Sequence, residues 1–139
     1  MKELFDVHCH MVPGVDDGAA DLEESLAMLK MQHEDGVRKI IITPHYRRRM
    51  FETPAKKVHE QFLKLQEAAK KEYPDMSLYL GCELHSNMNL QGILEKRKYV
   101  TMAGSSYVLL EFSEGDSAQH IRERVYNVCL LYTSPSPRD

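Results

Sequence analysis

The chain has 139 residues, of which 42% are hydrophobic and 28% charged, and its formal net charge is −3. This composition fits one globular domain that can bury a core without disulfides, and the weak negative charge argues against a general nucleic-acid binder. The three cysteines show no CxxC spacing, and the first ten residues hold no apolar run suited to a signal peptide or a membrane span. These features predict a cytoplasmic protein without membrane insertion.

A strand and a helix are predicted in the first part of the chain. From Phe5 to His10, apolar and polar side chains alternate, which predicts a strand whose apolar face packs on helices. Asp21 with Glu24 three residues later predicts a capped helix start, and an apolar stripe at helical spacing continues to Leu29. The run "VRKIIIT" is rich in β-branched residues and predicts a strand buried on both faces.

The rest of the chain continues this alternation. Thr53 followed by Pro54 predicts an N-cap and the first position of a second helix, which ends before Pro74. The segments "MSLYLGCEL" and "YVLLEF" predict two further strands, with a short helix at residues 91–98 between them and a last helix capped by Ser117. Strands that alternate with helices in this way indicate an α/β fold with a parallel sheet.

Each predicted strand is followed by residues that can bind a metal ion. In parallel α/β folds, functional groups gather at the carboxyl ends of the strands. A lone histidine on a strand is more often a packed residue, but four successive strand ends with imidazole or carboxylate groups predict one shared site. Such donors favour Mn, Fe or Zn, and bound cations would remove the repulsion between the carboxylates. The candidates are His8, His10, Asp16, Asp17, His45, Glu83 and Glu111.

Three arginines, Arg47, Arg48 and Arg49, come directly after His45. The planar guanidinium group suits phosphate recognition, and a metal cluster suits the hydrolysis of phosphate esters. A solvated basic turn is the alternative interpretation of these arginines.

The cysteines do not fit a cysteine-dependent phosphatase, which requires an arginine six positions after its catalytic cysteine. The positions six beyond Cys9, Cys82 and Cys129 hold valine, methionine and proline. Strand alternation also directs Cys9 away from the neighbouring histidines. We therefore expect Cys9 to belong to the core.

Four motifs, "DVHCHMVPGVDDGA", "EDGVRKIIITPHYRRRMFETP", "YLGCELH" and "YVLLEFS", resemble those of the PHP (polymerase and histidinol phosphatase) superfamily. Within it they are most similar to the bacterial manganese-dependent protein-tyrosine phosphatases of capsule and exopolysaccharide operons, the CpsB/YwqE type. The resemblance implies a distorted (β/α)7 barrel with a cluster of about three divalent ions, commonly Mn²⁺. It favours Asp17 over Asp16, because the family ligand directly precedes the glycine at position 18. The implied ligands are His8, His10, Asp17, His45, Glu83 and Glu111.

The resemblance also implies a reaction and a partner. The substrate would be phosphotyrosine in the C-terminal tail of a bacterial tyrosine kinase. A metal-bridging hydroxide would attack phosphorus, while the metal ions and the catalytic arginines Arg47 and Arg48 would stabilise the developing charge. Two alternatives remain open: another PHP phosphoesterase, such as a histidinol-phosphatase-like enzyme, and a metal-binding module without turnover.

The last eleven residues, "CLLYTSPSPRD", resemble a translated transposase adapter from tagmentation sequencing libraries. We therefore expect residues 1–128 to form part of the phosphatase domain and residues 129–139 not to be native. The family's remaining ligands, a strand-end histidine and an Asp-x-His, are expected beyond Val128. The sequence thus predicts a truncated, N-terminal portion of the barrel that is inactive and poorly stable, because its sheet loses neighbouring strands.

Overall fold

The computed structural model describes residues 2–133. Its elements follow the predicted order of strands and helices, although the predicted strand "MSLYLGCEL" is divided in two and a short additional strand follows "VRKIIIT". In chain order they are β1 Leu4–Asp6, α1 Leu22–Glu34, β2 Val37–Ile42, β3 His45–Tyr46, α2 Ala55–Glu72, β4 Ser77–Leu80, β5 Glu83–His85, α3 Leu90–Lys96, a short 3₁₀ helix Met102–Gly104, β6 Leu109–Glu111 and α4 Ala118–Thr133.

The strands form two parallel sheets of three strands each, ordered β1-β2-β4 and β3-β5-β6. The break between β2 and β3 contains Pro44, which has no amide hydrogen to donate to a neighbouring strand. The break between β4 and β5 begins at Gly81, where a Cβ atom would lie 3.0 Å from Met102 Sδ and 3.2 Å from Ile41 Cγ2. The predicted α/β architecture with parallel strands is confirmed, and each break turns the chain from one sheet into the other.

The larger hydrophobic core lies between the sheet β1-β2-β4 and the helices α1 and α2. Ile40 and Ile42 of β2 are fully buried in it, as is Leu29 of α1. A smaller cluster, which includes Leu84 and Val128, packs around α3 and α4. The predicted apolar stripe of α2 is buried at every position, namely Val58, Phe62, Leu65 and Ala69.

The opposite face of the sheet β1-β2-β4 is exposed, which contradicts two predictions. Phe5 is 61% exposed and Val7 56% exposed, so only Cys9 of the predicted apolar face packs against the core. In β2, Lys39 is exposed and Ile41 half-buried, so this strand is buried on one face and not on both. The reason is that α1 and α2 cover one side of the sheet, whereas within residues 2–133 only the short 3₁₀ helix Met102–Gly104 lies against part of the other.

The helix caps agree with the prediction at α1 and α4 but not at α2. Asp21 accepts a hydrogen bond from the backbone N–H of Glu24 at 2.8 Å, and the predicted serine cap of α4 also forms. At α2 the N-cap residue is Pro54, whereas the hydroxyl of Thr53 donates to the carbonyl oxygen of Val15 at 2.9 Å. Thr53 therefore anchors the loop after β1 and does not cap the helix.

The helix α4 extends to Thr133 and so includes the first residues of the segment predicted not to be native. Residues 134–139 lie outside the described residues, and the origin of this segment stays a prediction. Among residues 2–133, no helix is both long enough and apolar enough to cross a membrane.

The core of α2 gives a stability prediction. Leu65 is fully buried, whereas Leu63 on the same helix is 44% exposed. We expect Leu65→Ala to lower the free energy of unfolding by about 2–5 kcal/mol, because it removes buried methyl groups and leaves a cavity. Leu63→Ala is the matched control and should change it by less than about 0.5 kcal/mol. Urea unfolding followed by circular dichroism measures both, and equal losses would contradict the assigned helix orientation.

Candidate metal centre

A cluster of histidines and carboxylates lies where the strands of the two sheets meet. His8 and His10 follow β1, His45 opens β3 directly after β2, and Glu83 opens β5 directly after β4. His45 and Glu83 are register partners, and β6, which pairs with β5, ends at Glu111. Because neighbouring parallel strands place their ends at one edge, these side chains converge from distant parts of the sequence.

The structure brings together the six side chains that the resemblance implies as ligands. They form three groups, and within each group one ligand atom per residue lies within 4.8 Å of the others. The groups overlap, because His10, His45 and Glu83 each belong to two of them. The groups are His8 with His10 and Glu83, His10 with Asp17 and His45, and His45 with Glu83 and Glu111.

Glu83 lies at the centre of the cluster. Its Oε2 atom is 2.9 Å from His8 Nε2 and 3.0 Å from His10 Nε2, and it is 3.5 Å from His45 Nδ1. The residue is only 8% exposed. A carboxylate removed from water in this way needs protons or cations close by to compensate its charge.

Two unpartnered atoms indicate that cations fit this cluster. His45 Nδ1 and Glu111 Oε2 are buried and make no hydrogen bond, although they lie only 3.4 Å apart. Buried polar atoms without a partner are costly, and a divalent ion bound by both would satisfy them. The donor set of imidazole nitrogens and carboxylate oxygens suits Mn, Fe or Zn. The residues present therefore fit a metal centre.

The two adjacent aspartates have different environments. The Asp17 side chain is 64% exposed, and its Oδ1 lies 3.6 Å from His45 Nε2. The Asp16 side chain is fully buried, and its Oδ2 lies 3.0 Å from His10 Nδ1. Burial alone would raise the pKa of Asp16, but hydrogen bonds from His10, His45 and Gly18 outweigh burial and lower this pKa. The hydrogen bond to Asp16 is also the main reason why the pKa of His10 is raised.

Arg47 lies at the rim of the cluster. Its Nη1 atom is 3.7 Å from Glu111 Oε1, and its Nη2 atom donates to Ser113 Oγ at 3.4 Å. Arg48 and Arg49 are exposed. Within residues 2–131, no hydrogen bond or ion pair joins the Arg48 side chain to the cluster. The catalytic roles of Arg47 and Arg48 stay predictions, and the geometry favours Arg47.

Two further side chains lie beside the site, and sequence reasoning missed one of them, Phe51. The Phe51 ring stacks on His45 with 5.1 Å between centroids, and no pattern in the sequence singles it out. The other, His85, is 1% exposed. Its Nδ1 accepts from the backbone N–H of Asn87, so its Nε2–H donates to Ser113 Oγ at 3.0 Å. This serine therefore contacts both His85 and Arg47.

The cysteines take no part in the cluster. Burial raises the pKa of the Cys9 thiol to about 12, and burial likewise raises the pKa of the Cys82 thiol to about 12. Neither thiol is therefore ionised near neutral pH, as a nucleophile would need to be. This agrees with the absence of the cysteine-phosphatase spacing in the sequence.

These thiol pKa values give a prediction. In a Cys129→Ser background, Cys9 and Cys82 should react with Ellman's reagent at pH 8 roughly a thousandfold more slowly than unfolded cysteine, because the thiolate fraction is that much smaller. Denaturant should remove the difference. Fast reaction of either thiol in the folded chain would show that the site region is open or that a cysteine is activated.

Residues 4–134 match the family described as "Capsular polysaccharide synthesis, CpsB/CapC". The tyrosine-protein phosphatase CpsB of Streptococcus pneumoniae is 38% identical over 132 residues, which are 95% of this chain and 54% of that protein. The tyrosine-protein phosphatase YwqE of Bacillus subtilis (strain 168) is 28% identical over 127 residues, which are 91% of this chain and 50% of that protein.

A solved structure shares the fold. It superimposes with a TM-score of 0.81 at 27% identity, and the match covers 92% of this chain and 52% of the solved chain. Its description names YwqE from Bacillus subtilis and CpsB from Streptococcus pneumoniae as metal-dependent tyrosine phosphatases. The chain spans about half the length of the curated relatives it matches.

Proposed function

We propose a function for this chain on the premise that it belongs to the CpsB/CapC family of capsular polysaccharide synthesis. Its six clustered side chains bind divalent metal ions for the hydrolysis of protein phosphotyrosine. The observation that carries the proposal is the position of Glu83. One of its oxygens faces three imidazoles from two separate segments of the chain. The relatives named as tyrosine phosphatases favour this function over a histidinol-phosphatase-like activity or a module without turnover.

The proposed ligands are His8, His10, Asp17, His45, Glu83 and Glu111, in the three overlapping groups described above. Bound divalent ions would supply Lewis-acid chemistry for phosphate-ester hydrolysis. The metal that we propose is Mn²⁺, with Fe or Zn as alternatives that the same donors accept.

The arginines after His45 would bind the phosphoryl group. The Arg47 guanidinium is held beside Glu111 and Ser113, at the edge of the cluster. From there it can donate two parallel hydrogen bonds to a phosphoryl oxygen pair and balance its charge. The exposed Arg48 would contact the same substrate as it approaches. Both arginines are proposed as catalytic residues on this basis.

The openness of the cluster supports a protein substrate. The His8 side chain is 47% exposed and the Asp17 side chain 64% exposed, so ligands on one side of the cluster face solvent. A phosphotyrosine on an extended peptide could therefore reach the ions. We propose the C-terminal tail of a cytoplasmic partner tyrosine kinase as this substrate, in keeping with the family's role in capsule synthesis.

The activity belongs to proteins of about twice this length. We propose that such proteins complete the cluster with further ligands, and that residues 1–128 alone bind metal without efficient turnover. The sheet face that carries Phe5 and Val7 supports this, because both of these apolar side chains are more than half exposed.

Metal binding gives the first test. His45 belongs to two of the three groups, so His45→Ala should weaken Mn²⁺ binding to the 139-residue chain by at least about 100-fold, as measured by isothermal titration calorimetry. The matched control is His59→Ala, because His59 lies outside the cluster and stacks on Tyr99. Equal Mn²⁺ affinity of both variants and the unmodified chain would contradict the proposed centre.

Activity gives the second test, in a protein of full family length that carries these residues. We expect it to hydrolyse a phosphotyrosine peptide in preference to histidinol phosphate, and His45→Ala to lower kcat by at least about 1000-fold, since charge stabilisation at the phosphoryl group is lost. A preference for histidinol phosphate would instead favour the small-substrate alternative.

A further inference from the structure

The buried carboxylate of Asp16 lies beside the proposed metal centre but belongs to none of its three groups. It directly precedes the proposed ligand Asp17 in the sequence. Its two oxygens nevertheless bind three donors. Oδ1 accepts the backbone N–H of Gly18 at 2.9 Å, and Oδ2 accepts both the His10 ring at 3.0 Å and the backbone N–H of His45 at 3.0 Å.

The two oxygens serve different parts of the structure. The bond from Oδ1 to the amide two residues later closes a local turn, as aspartates in loops commonly do. The bonds of Oδ2 reach two residues that lie after different strands, and both are members of the metal-binding groups. A role in the turn alone would explain the first oxygen and not the second.

The bond to His10 decides which of its ring nitrogens can bind a metal. With Nδ1–H donated to Asp16, the unprotonated atom is Nε2, which lies 3.0 Å from Glu83 Oε2 at the centre of the cluster. Histidines that bind metals generally donate their other ring N–H to such a partner, which fixes the tautomer and the ring orientation.

The loop that carries Asp16 packs tightly against His10. A Cβ atom on Gly18 would lie 2.0 Å from the His10 carbonyl oxygen, and the Ala19 amide donates to that same oxygen at 3.1 Å. The strand ends are also joined directly, since the Thr43 amide donates to the Cys9 carbonyl oxygen at 2.9 Å. Asp16 is thus held at a fixed position between the two proposed ligands.

We propose that Asp16 is a positioning residue, which holds His10 in the tautomer that leaves Nε2 available for a metal ion and fixes the distance between His10 and His45. This inference rests on the proposed function, because it assumes that His10 and His45 bind metal ions. The residue itself does not contact the metal or the substrate.

Replacement of Asp16 by asparagine separates this role from a purely structural one. In Asp16→Asn, the NH₂ group replaces one carboxylate oxygen, so it faces either the Gly18 amide or the two donors His10 and His45. In both orientations the negative charge that holds the ring proton on Nδ1 is lost, whereas the Glu83 carboxylate still lies 3.0 Å from Nε2. The ring proton of His10 should therefore move to Nε2. The atom that would bind the metal is then protonated.

The test combines a measurement without metal and one with metal. Long-range ¹H–¹⁵N spectra of the metal-free 139-residue chain, at a pH where the His10 ring is neutral, should show the proton on Nδ1 in the unmodified chain and on Nε2 in Asp16→Asn. Titration with Mn²⁺ should show an affinity about 10- to 100-fold lower for Asp16→Asn.

Two matched aspartates serve as controls. Asp17→Asn should weaken Mn²⁺ binding, because it alters a proposed ligand, but should leave the His10 tautomer unchanged. Asp21→Asn should change neither quantity, because Asp21 caps α1 from the exposed side of the same loop and asparagine caps equally well.

A proton on Nε2 of His10 in the unmodified chain would overturn the proposal, as would an Asp16→Asn variant with the original tautomer and unchanged Mn²⁺ affinity. If Asp16→Asn fails to fold, judged by circular dichroism, the tautomer of the unmodified chain decides. Absence of Mn²⁺ binding by the unmodified chain would overturn the proposed function instead. This outcome can be distinguished from failure of the Asp16 proposal, because the His10 tautomer is measured in the metal-free chain.

Discussion

The arrangement depends on one buried carboxylate. Glu83 opens a strand in the middle of the sheet β3-β5-β6, and its Oε2 atom meets imidazoles that follow β1 and β2. A single charge at this position cannot be left without compensation. The strand breaks at Pro44 and Gly81 and the buried Asp16 help to bring the histidines to this oxygen. They therefore contribute to the compensation of the Glu83 charge. The fold is organised to bring separate chain segments to this oxygen.

The hydrophobic pattern predicted the helices that support the site. The stripe of α2 is buried at each predicted position because it repeats at helical spacing and meets one sheet face. The site residues could also be predicted, since strand ends in a parallel sheet share one edge. That principle placed His45, Glu83 and Glu111 together without any knowledge of the contacts.

Other features could not be predicted from the local sequence pattern, because they depend on contacts between residues that are distant in the sequence. Strand alternation cannot tell whether a helix covers a given face, and so Phe5 and Val7 were wrongly expected to be buried. A hydroxyl at an N-cap position can instead donate a hydrogen bond to a carbonyl distant in sequence, as Thr53 does to Val15. The burial of Asp16 beside the exposed Asp17 and the stacking of Phe51 on His45 likewise have no local signal.

The most direct test of the central claim is a crystal structure of the chain grown with Mn²⁺, with the ions located by anomalous scattering. The account predicts anomalous peaks inside the cluster, with at least one within about 2.3 Å of a Glu83 carboxylate oxygen and of a histidine nitrogen. A well-ordered cluster without such a peak at saturating Mn²⁺, or peaks only on other surfaces, would contradict it.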